Sequence, residues 1–332
     1  MLRSSALLFA GTSLMLLAAC PPPRVVDEPL KADPPLTDPS PTKKKANPDL
    51  DRGVAFIKAS KFKEAEEHLK AAIASDPSNP EAHYYLGVVV DQTGGDVAKA
   101  EAHYKEALSL DPTFVDASVN LAAIYLTDPA RPDLALPLLQ DALKKSPNDP
   151  VVLTNVGYAH FLKKEPDKAI TAYESALKVQ ESADTRLQLG ILFFESGKPE
   201  SAVPHLLKVA EARKDDPESL ATIARMLGPG KAFADCVRLL DRVIELKKAD
   251  PEVLVRRGVC QHSLKKEKEA AADFNAAIKL DPKFQAAYFY LGQSMLEVKN
   301  KPAAKINFKK AVDLGKDTPI GQKAKKELDA IK

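Results

Sequence analysis

The chain has 332 residues, 28% charged and 45% hydrophobic, with 48 Lys and Arg against 46 Asp and Glu. Charges that nearly cancel leave no global field to recruit a polyanion, so no nucleic-acid partner is expected. Length alone would allow two ordinary domains, but internal repetition overrides length as a guide to domain number.

Residues 1–19 hold Arg3 followed by an uncharged, mostly apolar run from Ala6 to Ala19. Such a run is too short to span a bilayer and has the form of a secretory signal peptide. It ends Leu17-Ala18-Ala19-Cys20, which resembles the lipobox of bacterial lipoproteins. The resemblance implies that Cys20 is acylated, with palmitate-type chains, and becomes the mature N-terminus. Diacylglycerol plus an amide-linked chain supplies the two lipid signals that stable anchoring requires. Pro21 stands where an aspartate would resemble an inner-membrane retention signal, so the implied address is the outer membrane, facing the periplasm. Residues 20–45 add eight prolines and no aromatic side chain, too little apolar surface to fold. They are expected to form a disordered tether, reaching roughly 75 Å from the lipid at about 3.1 Å per residue.

From 46 to 317 a Gly or Ala is followed twelve or thirteen residues later by a second small residue, eight times over. The first members are Gly53, Gly87, Ala122, Gly157, Gly190, Ala224, Gly258 and Gly292; the second are Ala65, Ala100, Ala135, Ala169, Ala202, Cys236, Ala270 and Ala304. A period of about 34 residues marks a helical solenoid. Each unit reads as two amphipathic helices. In the last, Tyr288, Leu291, Gly292 and Met295 mark one apolar face, Ala304, Phe308 and Ala311 a second, with a polar turn at Lys299-Asn300-Lys301 between them. The paired small residues are expected where the two helices cross closely. Asp149-Pro150, Asp216-Pro217 and Asp250-Pro251 place an N-cap acid before a first-turn proline and open three first helices. Residues 318–332 read as a capping helix, with Ile320, Ala324, Leu328 and Ile331 on one stripe.

These residues resemble the tetratricopeptide repeat family, a helix-turn-helix of large apolar, Leu, Gly, Tyr, then Ala, aromatic, Ala, Pro at fixed offsets. Unit 2 shows it in Leu86, Gly87, Ala100, Tyr104, Ala107 and Pro112. The resemblance implies an all-α, right-handed superhelical solenoid of about eight units. Two departures stand out. Units 2 and 3 carry an extra residue in their internal turns, and unit 6 breaks its first helix early at Gly228-Pro229-Gly230, where a hinge or a longer turn is expected.

An enzyme needs a convergent nucleophile, base or metal-ligand set, and none is visible, so neither catalysis nor a cofactor or metal is expected. No two of the six histidines have one-turn spacing; His68, His103 and His205 share a slot, which is repeat register. Cys236 and Cys260 lie on helices that should be neighbours. Two buried thiols acting as small hydrophobes are expected, with a disulfide as the alternative that geometry would decide.

In the family the first helices line the concave side. Counting the recurring glycine slot as the eighth, slots five, nine and twelve point inward. Here they supply an apolar partner groove: Tyr84, Tyr158, Phe161, Leu187, Ile191, Phe194 and Phe289, densest at Tyr158, Phe161, Leu187, Ile191 and Phe194. Relatives that clamp a C-terminal carboxylate use lysine and asparagine in slots five and nine, and this chain lacks them there. An apolar groove suits an amphipathic helix or extended apolar peptide; alternatively, tight curvature buries these side chains against one another. The function expected is a periplasmic scaffold binding envelope proteins and assisting a pilus secretin, motility or outer-membrane machinery. The alternatives are an adaptor docking peptidoglycan hydrolases, or a carrier of a small apolar ligand or lipid.

Overall fold

The computed structural model describes residues 47–127, 131–247 and 249–331. The signal peptide, Cys20, the proline-rich tether and most of the irregular turn of unit 3 lie outside the described residues.

Among the described residues the chain forms seventeen helices and no strand. They run in pairs: α1 (Pro48–Lys58) with α2 (Phe62–Ser75), α3 (Pro80–Gln92) with α4 (Val97–Leu110), α5 (Val115–Thr127) with α6 (Pro132–Lys145), and α7 (Pro150–Leu162) with α8 (Pro166–Val179). The pairs continue as α9 (Ala183–Glu195) with α10 (Pro199–Ala212), α11 (Pro217–Leu227) with α12 (Phe233–Leu246), α13 (Pro251–Ser263) with α14 (Glu267–Leu280), and α15 (Gln285–Glu297) with α16 (Lys301–Leu314). A last helix, α17 (Pro319–Ala330), packs on α15 and α16. Two compact units result, dividing between Thr185 and Arg186.

Helix starts follow from side-chain caps. Asp149 accepts hydrogen bonds from the amides of Val151 and Val152, and Asp216 from those of Glu218 and Ser219. Asn47 and Asn79 do the same ahead of Pro48 and Pro80, a variant of the motif in which an amide oxygen replaces the carboxylate. Second helices are narrowly amphipathic. On α16, Ala304, Phe308 and Ala311 are fully buried at the i, i+4, i+7 positions of one face, and burying Phe308 contributes about 2–3 kcal/mol. First helices bury more of their circumference because each meets several neighbours: α5 packs on α4, α6 and α7, and every residue from Ala117 to Leu126 is buried.

Two local features depart from the sequence reading. Cys236 on α12 and Cys260 on α13 are disulfide-bonded rather than free thiols. Packing of the two helices brings their Cα atoms to 6.4 Å, inside the bridging range, and both cysteines are fully buried. In unit 6, α11 does stop at Leu227, two residues short of its neighbours' length, but Gly230 is there for contact. A β-carbon on it would lie 2.5 Å from Val203 Cγ2 and 2.9 Å from the Pro199 carbonyl oxygen, so only glycine lets this turn rest against α10.

Candidate functional site

In the first unit Tyr84 is 1% exposed, its ring enclosed by Tyr85, Tyr104 and Phe114 at centroid distances of 5.0, 6.0 and 4.9 Å. Tyr158 is also buried and stacks on Phe161, which is half-buried. In the second unit Ile191 is core, and Phe289 is 2% exposed between Tyr290 and Phe308. Leu187 and Phe194 are half-buried against that core. Four of the seven residues read as groove wall, Tyr84, Tyr158, Ile191 and Phe289, are therefore interior packing. Two of them are covered by other rings, Tyr84 by Phe114 of the next repeat and Phe289 by Tyr290 and Phe308 of its own. The densest predicted cluster also falls on both sides of the division at Thr185, so neither unit holds it alone.

Slots five and nine do open onto space in units 1 and 6. In the first unit Leu50 and Val54, in slots five and nine of unit 1, line a cavity of about 350 Å³ shared with Asp51, Lys58, Glu81 and Tyr85. In the second, Ala221 and Arg225 occupy the same two slots of unit 6 and line a cavity of about 280 Å³ with Thr222, Lys247 and Arg256. This second cavity is polar. Lys247 bonds Glu218 at 2.7 Å, and Arg256, 5% exposed, donates to Glu252 at 2.5 Å. Burial lowers the Arg256 pKa below the usual guanidinium range, Glu252 opposes that, and the like charge of Arg225 adds to it. Arg256 was not legible as a cavity residue, although the Glu252-x-x-x-Arg256 spacing on a first helix is a signal for a one-turn ion pair. Its neighbour Arg257 does structural work: it spans Asp241 on α12 and Asp273 on α14 at 2.7 and 2.5 Å, and the nearly buried Asp273 holds its pKa above the ordinary value.

The histidines sit in repeat contacts. His68 and His205, in the same second-helix slot, stack on Phe56 and Phe193 one helix back, and His68 Nδ1 lies 2.9 Å from Asp49. In unit 2 the stacking position is held by Val90, and His103 lies instead 5.9 Å from His83. Burial, followed by the like charges of His83 and Lys70, lowers the His103 pKa. His160 and His262 close their units' turns on Glu165 and Glu267 at 2.6 and 2.7 Å. Among the described residues no group of three or more His, Cys, Asp or Glu is placed to hold a metal ion, and no helix is long and apolar enough to cross a membrane.

The arrangement can bind and position, and comparison with known proteins gives the same coarse answer. The chain is 28% identical over 169 residues to the TPR repeat-containing protein YpiA of Bacillus subtilis, covering 50% of this chain and 39% of that protein. It is 30% identical over 102 residues to heat shock protein STI1 of Saccharomyces cerevisiae, covering 30% of this chain and 17% of the yeast protein. The chain thus spans less than half the length of these curated relatives. Its fold is similar to the solved structure of pilF from Pseudomonas aeruginosa, with a TM-score of 0.50 at 20% identity, covering 66% of this chain and 98% of the other. Models of the tetratricopeptide repeat match residues 50–113, 93–150, 120–186, 159–217 and 251–284, more than half of the chain. Repeat register, helix pairing and these matches together make the chain a member of the tetratricopeptide repeat family, an all-helical scaffold of the kind that binds protein partners.

Proposed function

We propose that this protein is a lipid-anchored, periplasm-facing scaffold that binds envelope proteins along the inward side of its first helices, with no chemistry of its own. The observation that carries the reading is the opening of slots five and nine onto cavities in both units, at Leu50 and Val54 and again at Ala221 and Arg225. Half-buried Phe161, Leu187 and Phe194 offer apolar side chains on the same side of their helices for an amphipathic helix or extended peptide. Export is supported by the Cys236–Cys260 bridge, since disulfides persist in oxidising compartments and are rare in the cytosol. Acylated Cys20 at the end of the leader would then tether the scaffold to the outer membrane, where a pilus secretin, a motility apparatus or outer-membrane machinery would be assembled on it.

The test is affinity capture of the native lipoprotein from envelope membranes, beside two variants checked for native helicity: Phe161→Glu with Phe194→Glu, and Val54→Glu with Ala221→Glu. Specific partners lost from either variant support the reading; both variants retaining every partner would end it. Separately, a Cys20→Ser chain should leave the membrane fraction on washing with roughly 500 mM salt, which screens any contact by charge alone, and its full retention after that wash would refute the lipid anchor.

A further inference from the structure

The strongest charge asymmetry in the chain lies at its C-terminal end. Residues 299–331 carry nine lysines, four acidic residues and no arginine, although the whole chain is almost neutral. On α16 the inner face is spent on Ala304, Phe308 and Ala311, which fixes what the outer face presents. Lys301, Lys305 and Lys309 follow one another at i, i+4 and i+8, and Lys310 stands beside them; all four are exposed and none has an ion-pair partner among the described residues. The most exposed large hydrophobic side chain, Ile306 at 70%, projects from the same helix one turn before Lys310. Its exposure amid lysines that make no ion pair is the feature to explain.

We infer that the outer face of α16, with Lys326 of the adjoining α17, docks on an anionic phospholipid surface. One exposed apolar side chain among lysines suits a bilayer surface: the isoleucine enters the acyl boundary while long lysine stems keep their ammonium groups at headgroup level. The lysine-only composition fits a plane of diffuse negative charge. Recognition of a single carboxylate or phosphate favours the planar fork of arginine, which is absent from this stretch. Lysines lacking intramolecular partners keep their charge available to the surface, and each weakens binding by about fivefold when removed. This face belongs to a second helix and the cap, and none of its lysines lines the cavities of the first helices, so its function does not depend on partner binding there. It would give the body a contact with the bilayer independent of the N-terminal lipid.

The experiment uses the full chain with Cys20→Ser, so that no acyl group contributes, and co-sedimentation with two kinds of vesicle: phosphatidylcholine alone, and phosphatidylcholine with about 30 mol% phosphatidylglycerol, whose negative surface potential attracts lysines. The neutral vesicles measure any uptake through the apolar leader. Expected is at least tenfold stronger partition onto the anionic vesicles, lost on raising salt from roughly 50 to 500 mM as screening shortens the field. The triple change Lys305→Gln, Lys309→Gln, Lys310→Gln should lower it by roughly a hundredfold, and Ile306→Ser should lower it several-fold without altering the salt dependence. A control triple on the first unit, Lys61→Gln, Lys63→Gln, Lys99→Gln, should bind as the parent does. Equal partition onto both vesicles, loss in the control as large as in the α16 triple, or binding to soluble polyglutamate in place of vesicles would overturn the assignment, the last in favour of an acidic protein partner.

Discussion

Between Gly258 on α13 and Phe274 on α14 there is no room for a methyl group: a β-carbon on the glycine would lie 2.6 Å from the ring's Cε1. The same relationship joins Gly87 to Tyr104, Gly157 to Tyr173 and Gly292 to Phe308, at 2.8, 2.6 and 2.7 Å. The glycine of each unit thus accommodates the bulky residue four positions beyond the small residue of the second helix, rather than that small residue itself. Units 3 and 6, which carry Ala122 and Ala224 in the glycine slot, have leucine, Leu139 and Leu240, in the facing position. An aromatic ring cannot yield, whereas a leucine can change rotamer. Gly258→Ala should therefore destabilise the protein by about 1–2 kcal/mol, the overpacking cost exceeding the helix-propensity gain of about 1 kcal/mol. Phe274→Leu added to it should recover part of the loss, and Gly190→Ala, which faces Leu206, should be close to neutral. Urea denaturation midpoints measure all three.

The turns between paired helices share one backbone conformation. Ser60, Lys164, Lys231, Lys265 and Lys299 have φ between 57 and 62°, where Gly94 and Gly197 have 64 and 72°. In each, the left-handed residue lets the chain close the preceding helix: the Lys299 amide donates to the Leu296 carbonyl and the Asn300 amide to that of Met295, as Gly197 and Lys198 do to Phe194 and Phe193. A side chain in this region costs roughly 1–2 kcal/mol, offset in part by the greater entropy glycine loses on folding. Lys299→Gly should stabilise the protein by roughly 0.5–1 kcal/mol, and Gly197→Ala should destabilise it by a similar amount. Nothing lies within 4 Å of a β-carbon placed at Gly197, so calorimetric melting of that variant reads the backbone term alone.

Repeat register was legible because a small residue every period reflects a steric demand that recurs at each helix crossing, and helix starts were legible because Asp149, Asp216 and Asp250 cap locally. What a first-helix residue faces is settled by residues about 30 positions away. Tyr84 reads as groove wall until Phe114 covers it, and Arg225 gains a cavity only with Arg256 of the next unit beside it. Gly230 reads as a helix breaker; its contact with Val203 depends on how two hairpins meet. Cys236 and Cys260 could be placed on adjacent helices from the pattern, but the approach that allows a bond is a property of packing.

That bridge joins the second helix of unit 6 to the first helix of unit 7, across a sequence separation of 24. Constraining a loop of this length in the unfolded chain is worth about 3 kcal/mol. Because both cysteines are fully buried, a reductant should reach the sulfurs only when this region opens. The expected result is a reduction rate that rises with urea well below the unfolding midpoint of the intact protein, and a Cys236→Ala, Cys260→Ala protein that unfolds at a lower midpoint with or without reductant. If the double variant matched the oxidised wild type in stability, the bridge would contribute nothing to the fold.

Acid should loosen a different junction. Glu101 on α4 accepts from Arg131 at 3.1 and 3.3 Å and from Lys105 at 2.7 Å, while the Arg131 guanidinium lies 4.3 Å above the ring of Tyr125, whose hydroxyl also donates to Glu101. Hydrogen bonds from Arg131, then from Lys105, hold the Glu101 carboxyl down at about 2, against 4.5 ordinarily. A depressed carboxylate contributes stability that is complete above the unfolded value and lost as pH falls through the folded one, so the loss should run from about pH 4.5 to about pH 2. Arg131 and Lys105 are partly in water, which screens the pair and reduces the contribution to on the order of 1 kcal/mol. Arg131→Met should flatten the fall in stability across this window, measured as urea midpoints at successive pH values, and Lys105→Met should flatten it less because Arg131 is the larger cause. An unchanged slope in Arg131→Met would mean that Arg131 does not hold the carboxylate down, and an unchanged slope with Lys105→Met added would mean that Glu101 titrates alike in the folded and unfolded chain.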